Sequence, residues 1–353
     1  MSSTNETEWP PRRSSGVLKS RRILQPWPED REFRILSIDG GGIRGIFPAA
    51  FLAGLEQRYL RGASVAGYFD LIAGTSTGGI IALGLAAGVT AAELRDLYID
   101  RGGEIFPPLP DNALGQARRR IRAFCRYFKF SYDRDALLRI LREKLGDKKF
   151  GQASNRLCIP SFDGRYGDVY IFKTPHHLDF KKDAYETMIT VGSATAAAPT
   201  FFQPFRSGGY TFVDGGVWAN NPVMIALVDA LSCFAVPRER VRILSLGCGD
   251  KPYVVDGMKI NLGGIWHWRD VIYAAMRLQS LNVIGQAGLL IGADRLLRVD
   301  APTSEEEIEM DDWIRARSEL PPAADSSLDA LGEQVAQGFL AKPAAPFEPL
   351  IRM

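Results

Sequence analysis

Phe69-Asp70-Leu71-Ile72-Ala73-Gly74-Thr75-Ser76-Thr77-Gly78-Gly79-Ile80 begins as a short apolar run, bends through small residues and resumes as an apolar segment. Gly74 to Gly78 fits G-x-S-x-G between a predicted strand and a predicted helix. In that context the turn is strained, the small neighbours of Ser76 let the chain bend, and the hydroxyl is pushed out of the sheet. The start of the following helix also favours negative charge beside the serine. Ser76 is therefore a candidate nucleophile. The competing reading is an ordinary helix-capping turn.

The same region needs a membrane check, because Leu71 to Ala92 runs 22 residues without a charge. That length would span a bilayer. Five glycines and four Ser or Thr residues interrupt it, however, and a strand followed by a buried helix accounts for it better.

Upstream, Phe33 to Ile38 is an apolar run that ends at Asp39 and a glycine-rich turn. A helix follows, with Pro48 in its first turn and Phe47, Phe51 and Leu55 at helical spacing. Thr90 and Glu93 form a capping-box pair. Asp133 to Leu145 reads as a helix stopped by Gly146. Further strands are expected at Arg156 to Ile159, Val169 to Phe172, Tyr210 to Val213 and Val241 to Leu246. Further helices are expected at Met188 to Ala198, Pro222 to Phe234, Arg269 to Ile291 and Leu328 to Leu340. Glu305 to Asp312 reads as an acidic patch and Pro321 to Ser327 as a linker. Alternating strands and helices predict an α/β layered architecture.

Composition narrows the function classes. The chain has 353 residues, 43 basic against 41 acidic side chains, and a net charge of +2. No global field draws it to a nucleic-acid polymer. Cys125, Cys158, Cys233 and Cys248 show no metal-binding or disulfide spacing, so buried free thiols are expected. Met1 to Glu29 is rich in Pro, Ser and basic residues and has no apolar core, so it is not read as a signal peptide. The expected division is a flexible arm over 1–30, one catalytic domain over 31–300 and a C-terminal extension over 301–353.

A nucleophile needs donors for the oxyanion that its attack creates. Asp39-Gly40-Gly41-Gly42-Ile43-Arg44-Gly45 offers three consecutive glycines whose N–H groups could converge. Gly40, Gly42 and Gly45 also fit a dinucleotide fingerprint. That reading lacks its acidic residue at the end of the next strand, where the serine turn stands. For the base, Ser76, Asp250 and His267 can be drawn as a triad, although a histidine inside Ile265-Trp266-His267-Trp268 is more often packed. Of the other two histidines, His176 and His177, neither falls in such a motif. The alternative is a carboxylate acting directly, and Asp214 opens Asp214-Gly215-Gly216 after an apolar strand. A non-catalytic protein using the glycine loop to hold a nucleotide is the rival from another class.

Together the Asp39 to Gly45 loop, the Gly74 to Gly78 elbow, Ala196-Ala197-Ala198-Pro199-Thr200-Phe201-Phe202 and Asp214-Gly215-Gly216 with Asn220-Asn221-Pro222 resemble the patatin-like phospholipases. The resemblance implies a three-layer α/β/α fold with a mostly parallel central sheet and a nucleophile elbow. It implies a Ser76–Asp214 dyad without a catalytic histidine, and an oxyanion hole at Gly40, Gly41 and Gly42. Arg44 is expected to take a substrate phosphate or to serve as a surface salt-bridge partner. No cofactor and no metal are implied.

Arg118 to Phe130 carries an apolar stripe (Ile121, Phe124, Cys125, Phe128) and a basic one (Arg118, Arg122, Arg126, with Arg119 nearby). On a helix these stripes fit core packing with solvated arginines, an anionic membrane surface, or a phosphate-bearing effector. The chain is also similar to the bacterial patatin-like effectors of anti-phage cyclic-oligonucleotide signalling. That similarity implies a homo-oligomeric, cytoplasmic enzyme, switched on by a cyclic dinucleotide and acting peripherally on membrane phospholipid at the inner face.

Overall fold

Phe33–Ile38 (β1) is buried along its whole length, and its side chains divide between two cores. Leu36 and Ile38 join one cluster, while Phe33 and Ile35 join the other. A continuous apolar run suits a parallel strand covered on both faces. The structure, a computed structural model, describes residues 22–108, 132–199, 201–249, 271–301 and 308–351.

The remaining strands are β2 (Leu71–Gly74), β3 (Arg156–Asp163), β4 (Asp168–Lys173), β5 (Phe205–Ser207), β6 (Tyr210–Asp214), β7 (Val241–Leu246) and β8 (Leu296–Val299). They form one sheet in the order β5-β6-β3-β2-β1-β7-β8, with β4 on β3. The β3–β2–β1–β7–β8 portion is parallel, and β4, β5 and β6 pair antiparallel. One face is covered by α1 (Ile46–Tyr59), α2 (Thr77–Ala86), α3 (Ala91–Ile105), α4 (Asp135–Leu145), α5 (Met188–Thr195) and a long C-terminal helix (Trp313–Phe339). Val223–Cys233 and Val271–Ile291 cover the other. The expected three-layer α/β/α arrangement is what the chain adopts.

The register explains how two distant segments meet. β4 pairs with Cys158 to Asp163 along one edge of β3. Both β2, at Arg156 to Cys158, and β6, at Ser161 to Asp163, must therefore share the other edge. β2 is parallel to β3 and β6 antiparallel, so the two run toward each other and their ends converge. Ala73 stands opposite Cys158 and Asp214 opposite Ser161. Ser76, three residues beyond Ala73, is thereby brought to the level of Asp214.

Local signals behave as read at several points. The Thr90 hydroxyl accepts from the Glu93 amide at 3.2 Å, and the Glu93 carboxylate accepts from the Thr90 amide at 3.0 Å. Gly146 ends α4 with φ of 55°. The linker expected at Pro321 to Ser327 is instead interior to the C-terminal helix. Prolines disfavour a helix interior, but Leu320, Ala324 and Leu328 flank them and are buried in the core. Packing outweighs the lost backbone bonds. Asp312, at the end of the expected acidic patch, caps that helix through the Arg315 amide at 3.2 Å. Among the described residues no helix is long and apolar enough to cross a membrane.

Phe339 closes the C-terminal helix against Phe69, ring centroids 6.0 Å apart. Its truncation in Phe339→Ala is expected to cost about 3–5 kcal/mol of stability. Denaturant unfolding checks this, and a loss below about 1 kcal/mol would mean that the helix contributes little to the core.

Candidate active site

Ser76 sits at the turn between β2 and α2 with φ of 54° and ψ of −119°. A left-handed conformation in a residue with a Cβ costs on the order of 1–3 kcal/mol, which the surrounding structure must sustain. The turn is held from two sides. The Ser76 amide donates to Thr195 Oγ1 at 3.0 Å, and that hydroxyl donates to the Pro160 carbonyl at 2.6 Å. Thr75 Oγ1 donates to the Ala219 carbonyl at 2.7 Å. Close approach also demands Gly78, where an added Cβ would lie 2.3 Å from the Ile38 carbonyl oxygen.

The helix-capping alternative for Ser76 does not match its hydroxyl. It makes no side-chain cap bond to α2. It lies near the Asp214 carboxylate instead and favours the charged form of that group. Asp214 ends β6, is buried, and accepts from the Gly216 amide through Oδ1 at 2.6 Å. Its own amide donates to Ala197 at 3.0 Å, which ties it to the Ala196-Ala197 segment. Burial pushes the Asp214 carboxyl up to about 6, against the opposing pull of the nearby Ser76 side chain and the Gly216 amide. A carboxylate of that basicity is suited to take a proton near neutral pH.

The glycine loop follows β1 and approaches the same point. Built on Gly40, a Cβ would lie 3.3 Å from the Ser76 Cβ. One expectation changes here. The Gly40 amide donates to the Asn220 carbonyl at 3.0 Å, so it is committed to holding the loop and not to an oxyanion. Gly41 and Gly42 remain as candidate donors. Gly42 has φ of 60°, and an added Cβ there would meet the Met310 carbonyl oxygen at 2.4 Å.

Arg44 also differs from its expected surface roles. It is buried, and its guanidinium donates to the carbonyls of Gly249 and, at 3.4 Å, Gly41. Asn221 serves the fold next to the site, its Oδ1 accepting from the Val223 amide at 3.0 Å as the next helix begins.

His176 and His177 are elsewhere. His176 Nε2 bonds Asp229 at 2.6 Å and its Nδ1 bonds Thr174 at 2.9 Å. Thr174 pairs with Leu157 near the start of β3, at the end of the sheet away from Ser76. Cys158, His176 and Asp229 could together hold a metal ion, yet Lys173 is ion-paired with that same carboxylate and supplies its countercharge. His177 bonds the Ile23 carbonyl at 3.0 Å. Cys158, Cys233 and Cys248 are buried free thiols. Asp250, His267, Cys125, Arg118, Arg119, Arg122 and Arg126 lie outside the described residues.

Sequence reasoning missed Thr75 and Thr195, whose hydroxyls fasten the elbow, and the Gly40–Asn220 bond. Thr195 adjoins the Ala196 motif, but nothing local marks its hydroxyl as a partner of Ser76.

The patatin-like phospholipase family model matches residues 36–227. The chain is 30% identical over 323 residues to a cGAMP-activated phospholipase of Pseudomonas aeruginosa, covering 90% of this chain and 91% of that protein. It is 36% identical over 239 residues to a cGAMP-activated phospholipase of Vibrio cholerae, covering 63% of this chain and 66% of that one. It is 34% identical over 272 residues to patatin-like protein 2 of Oryza sativa subsp. indica, covering 66% of this chain and 65% of that protein.

Proposed function

Since the chain belongs to the patatin-like phospholipase family, we propose that Ser76 and Asp214 form the catalytic dyad with which it hydrolyses phospholipid acyl esters. The observation that carries this reading is the Ser76 hydroxyl, held on a strained turn near a buried carboxylate whose pKa is raised to about 6.

Asp214 takes the hydroxyl proton as Ser76 Oγ bonds to the ester carbonyl carbon. The negative charge moves to the carbonyl oxygen, where the Gly41 and Gly42 amides receive it. A donor of this kind is worth roughly 3 kcal/mol. Collapse breaks the ester C–O bond, and the leaving alcohol takes the proton from Asp214. Water then attacks the acyl-enzyme, giving its proton to Asp214. The fatty acid departs and Ser76 recovers its proton. Arg44 is assigned to shaping the glycine loop in place of a substrate phosphate.

Regulation is the second part of the proposal. The Pseudomonas and Vibrio relatives are cGAMP-activated phospholipases, and an unrestrained enzyme of this kind would degrade the membranes of its own cell. We assign this chain a cyclic dinucleotide activator, a homo-oligomeric active form and peripheral action on membrane phospholipid from the cytoplasmic side. Arg118, Arg119, Arg122 and Arg126 remain the residues proposed to meet the nucleotide or the membrane. To shift an inactive:active ratio from 99:1 to 1:99, the ligand must favour the active state by about 5.5 kcal/mol.

Hydrolysis of phospholipid vesicles with and without a panel of cyclic dinucleotides tests the reading. Low basal turnover and a rise of about a hundredfold or more with one of them is expected. Full turnover without ligand would remove the activation and leave the dyad. Absence of ester hydrolysis under every condition would remove the enzyme reading.

A further inference from the structure

We infer that Arg298 and Asp300, outside the 36–227 region of the family match, are positioning residues that fix the oxyanion loop. The inference rests on the reading of Gly41 and Gly42 as oxyanion donors. Arg298 lies on β8, two strands from β1. Its Nη2 donates to Asp39 Oδ2 at 2.7 Å and to Asp300 Oδ2 at 2.6 Å, and its Nη1 donates to Ser245 Oγ at 2.8 Å. Asp39 directly precedes Gly40 and is buried.

Asp300 extends the contact to the other side of the loop. Its Oδ1 accepts from the Gly249 amide at 2.7 Å. The Gly249 carbonyl accepts from Arg44, whose Nε reaches the Gly41 carbonyl at 3.4 Å. A ring of contacts thus runs Asp39–Arg298–Asp300–Gly249–Arg44–Gly41 and closes through Gly40. It joins the carboxyl ends of β1, β7 and β8. The Met310 carbonyl adds a third hold by accepting from the Ile43 amide at 2.9 Å.

Of the three side chains only Asp39 is fully buried, and partly exposed ion pairs give little net stability, because solvent weakens their attraction and desolvating the buried partner offsets it. What a planar guanidinium between two carboxylates supplies is direction. Direction matters here, since oxyanion donors must sit about 2.7–3.1 Å from the position the oxyanion will occupy. A misplacement of about 1 Å can cost on the order of a hundredfold in rate.

The test compares Arg298→Met and Asp300→Asn with the unaltered chain on a soluble ester, with the activating cyclic dinucleotide present at saturation and both variants checked for folding by thermal unfolding. The expected result is a fall of about 10- to 100-fold in kcat with KM within about twofold. Affinity for a trifluoromethyl ketone, which becomes a tetrahedral alkoxide on Ser76, should fall in parallel. Affinity for the fatty acid product should hold. The midpoint of the pH profile should stay near 6, because Asp214 is untouched. Folded variants with unchanged kcat would overturn the inference, as would equal losses of ketone and product affinity. Should Arg298→Met fail to fold, Asp300→Asn decides by the same criteria. An unaltered chain without esterase activity even with cyclic dinucleotides present would instead strike at the dyad reading.

Discussion

Ser76→Ala is expected to abolish ester hydrolysis while leaving the chain folded. Losing the nucleophile of a serine hydrolase costs on the order of 10⁶-fold in kcat, and the other hydroxyls of the elbow, Thr75 and Thr77, are bonded to the Ala219 carbonyl and to Tyr98. The fold should tolerate the change, because alanine bears the same backbone strain at φ of 54° that serine does. Ser76→Gly should be just as inactive yet more stable than Ser76→Ala by about 1 kcal/mol or more, since glycine relieves a left-handed conformation. Activity assays and denaturant unfolding on the two variants check both halves. Equal stability of the two would show that the turn stores no strain.

The second large effect is expected for Asp214→Asn. The amide keeps an acceptor for the Gly216 N–H but cannot take the serine proton, so turnover should fall by about 10³- to 10⁴-fold. In the unaltered chain, kcat/KM should rise with pH through a midpoint near 6 and level off above it, following ionisation of the buried carboxyl. Stability should move in the opposite sense. A carboxyl whose folded pKa is raised costs stability once ionised. That cost is absent below the ordinary aspartate value near 4 and complete above about pH 6. Asp214→Asn should therefore raise the melting temperature at pH 8 and leave it little changed at pH 4. A pH profile flat from 5 to 8, or a variant retaining more than about a tenth of the activity, would point to a different base.

The order of motifs was legible because each carries its own local physics. Ser76 announces itself through small neighbours between a strand and a helix, and Thr90–Glu93 through its spacing. What local pattern could not supply was register. Asp214 meets Ser76 because β2 and β6 share one edge of β3, and no window around either residue contains that fact. Gly40 looked like its neighbours as an oxyanion donor, and only the Asn220 carbonyl, 180 residues away, removes it from the set. Pro321-Pro322 reads as a break on propensity alone, but Leu320, Ala324 and Leu328 bury their side of the helix and tertiary packing prevails. Arg298 lies in a short strand with a mixed sequence, Leu296-Leu297-Arg298-Val299, where nothing local singles it out.

The most direct test of a Ser76–Asp214 acyl hydrolase is covalent labelling by a fluorophosphonate, located by peptide mass spectrometry, in the unaltered chain and in Asp214→Asn with cyclic dinucleotide present. The account predicts one label per chain on Ser76, formed more slowly as pH falls below about 6 and nearly lost in Asp214→Asn although every histidine remains. A label on any other residue, or undiminished labelling of Ser76 in Asp214→Asn, would contradict it.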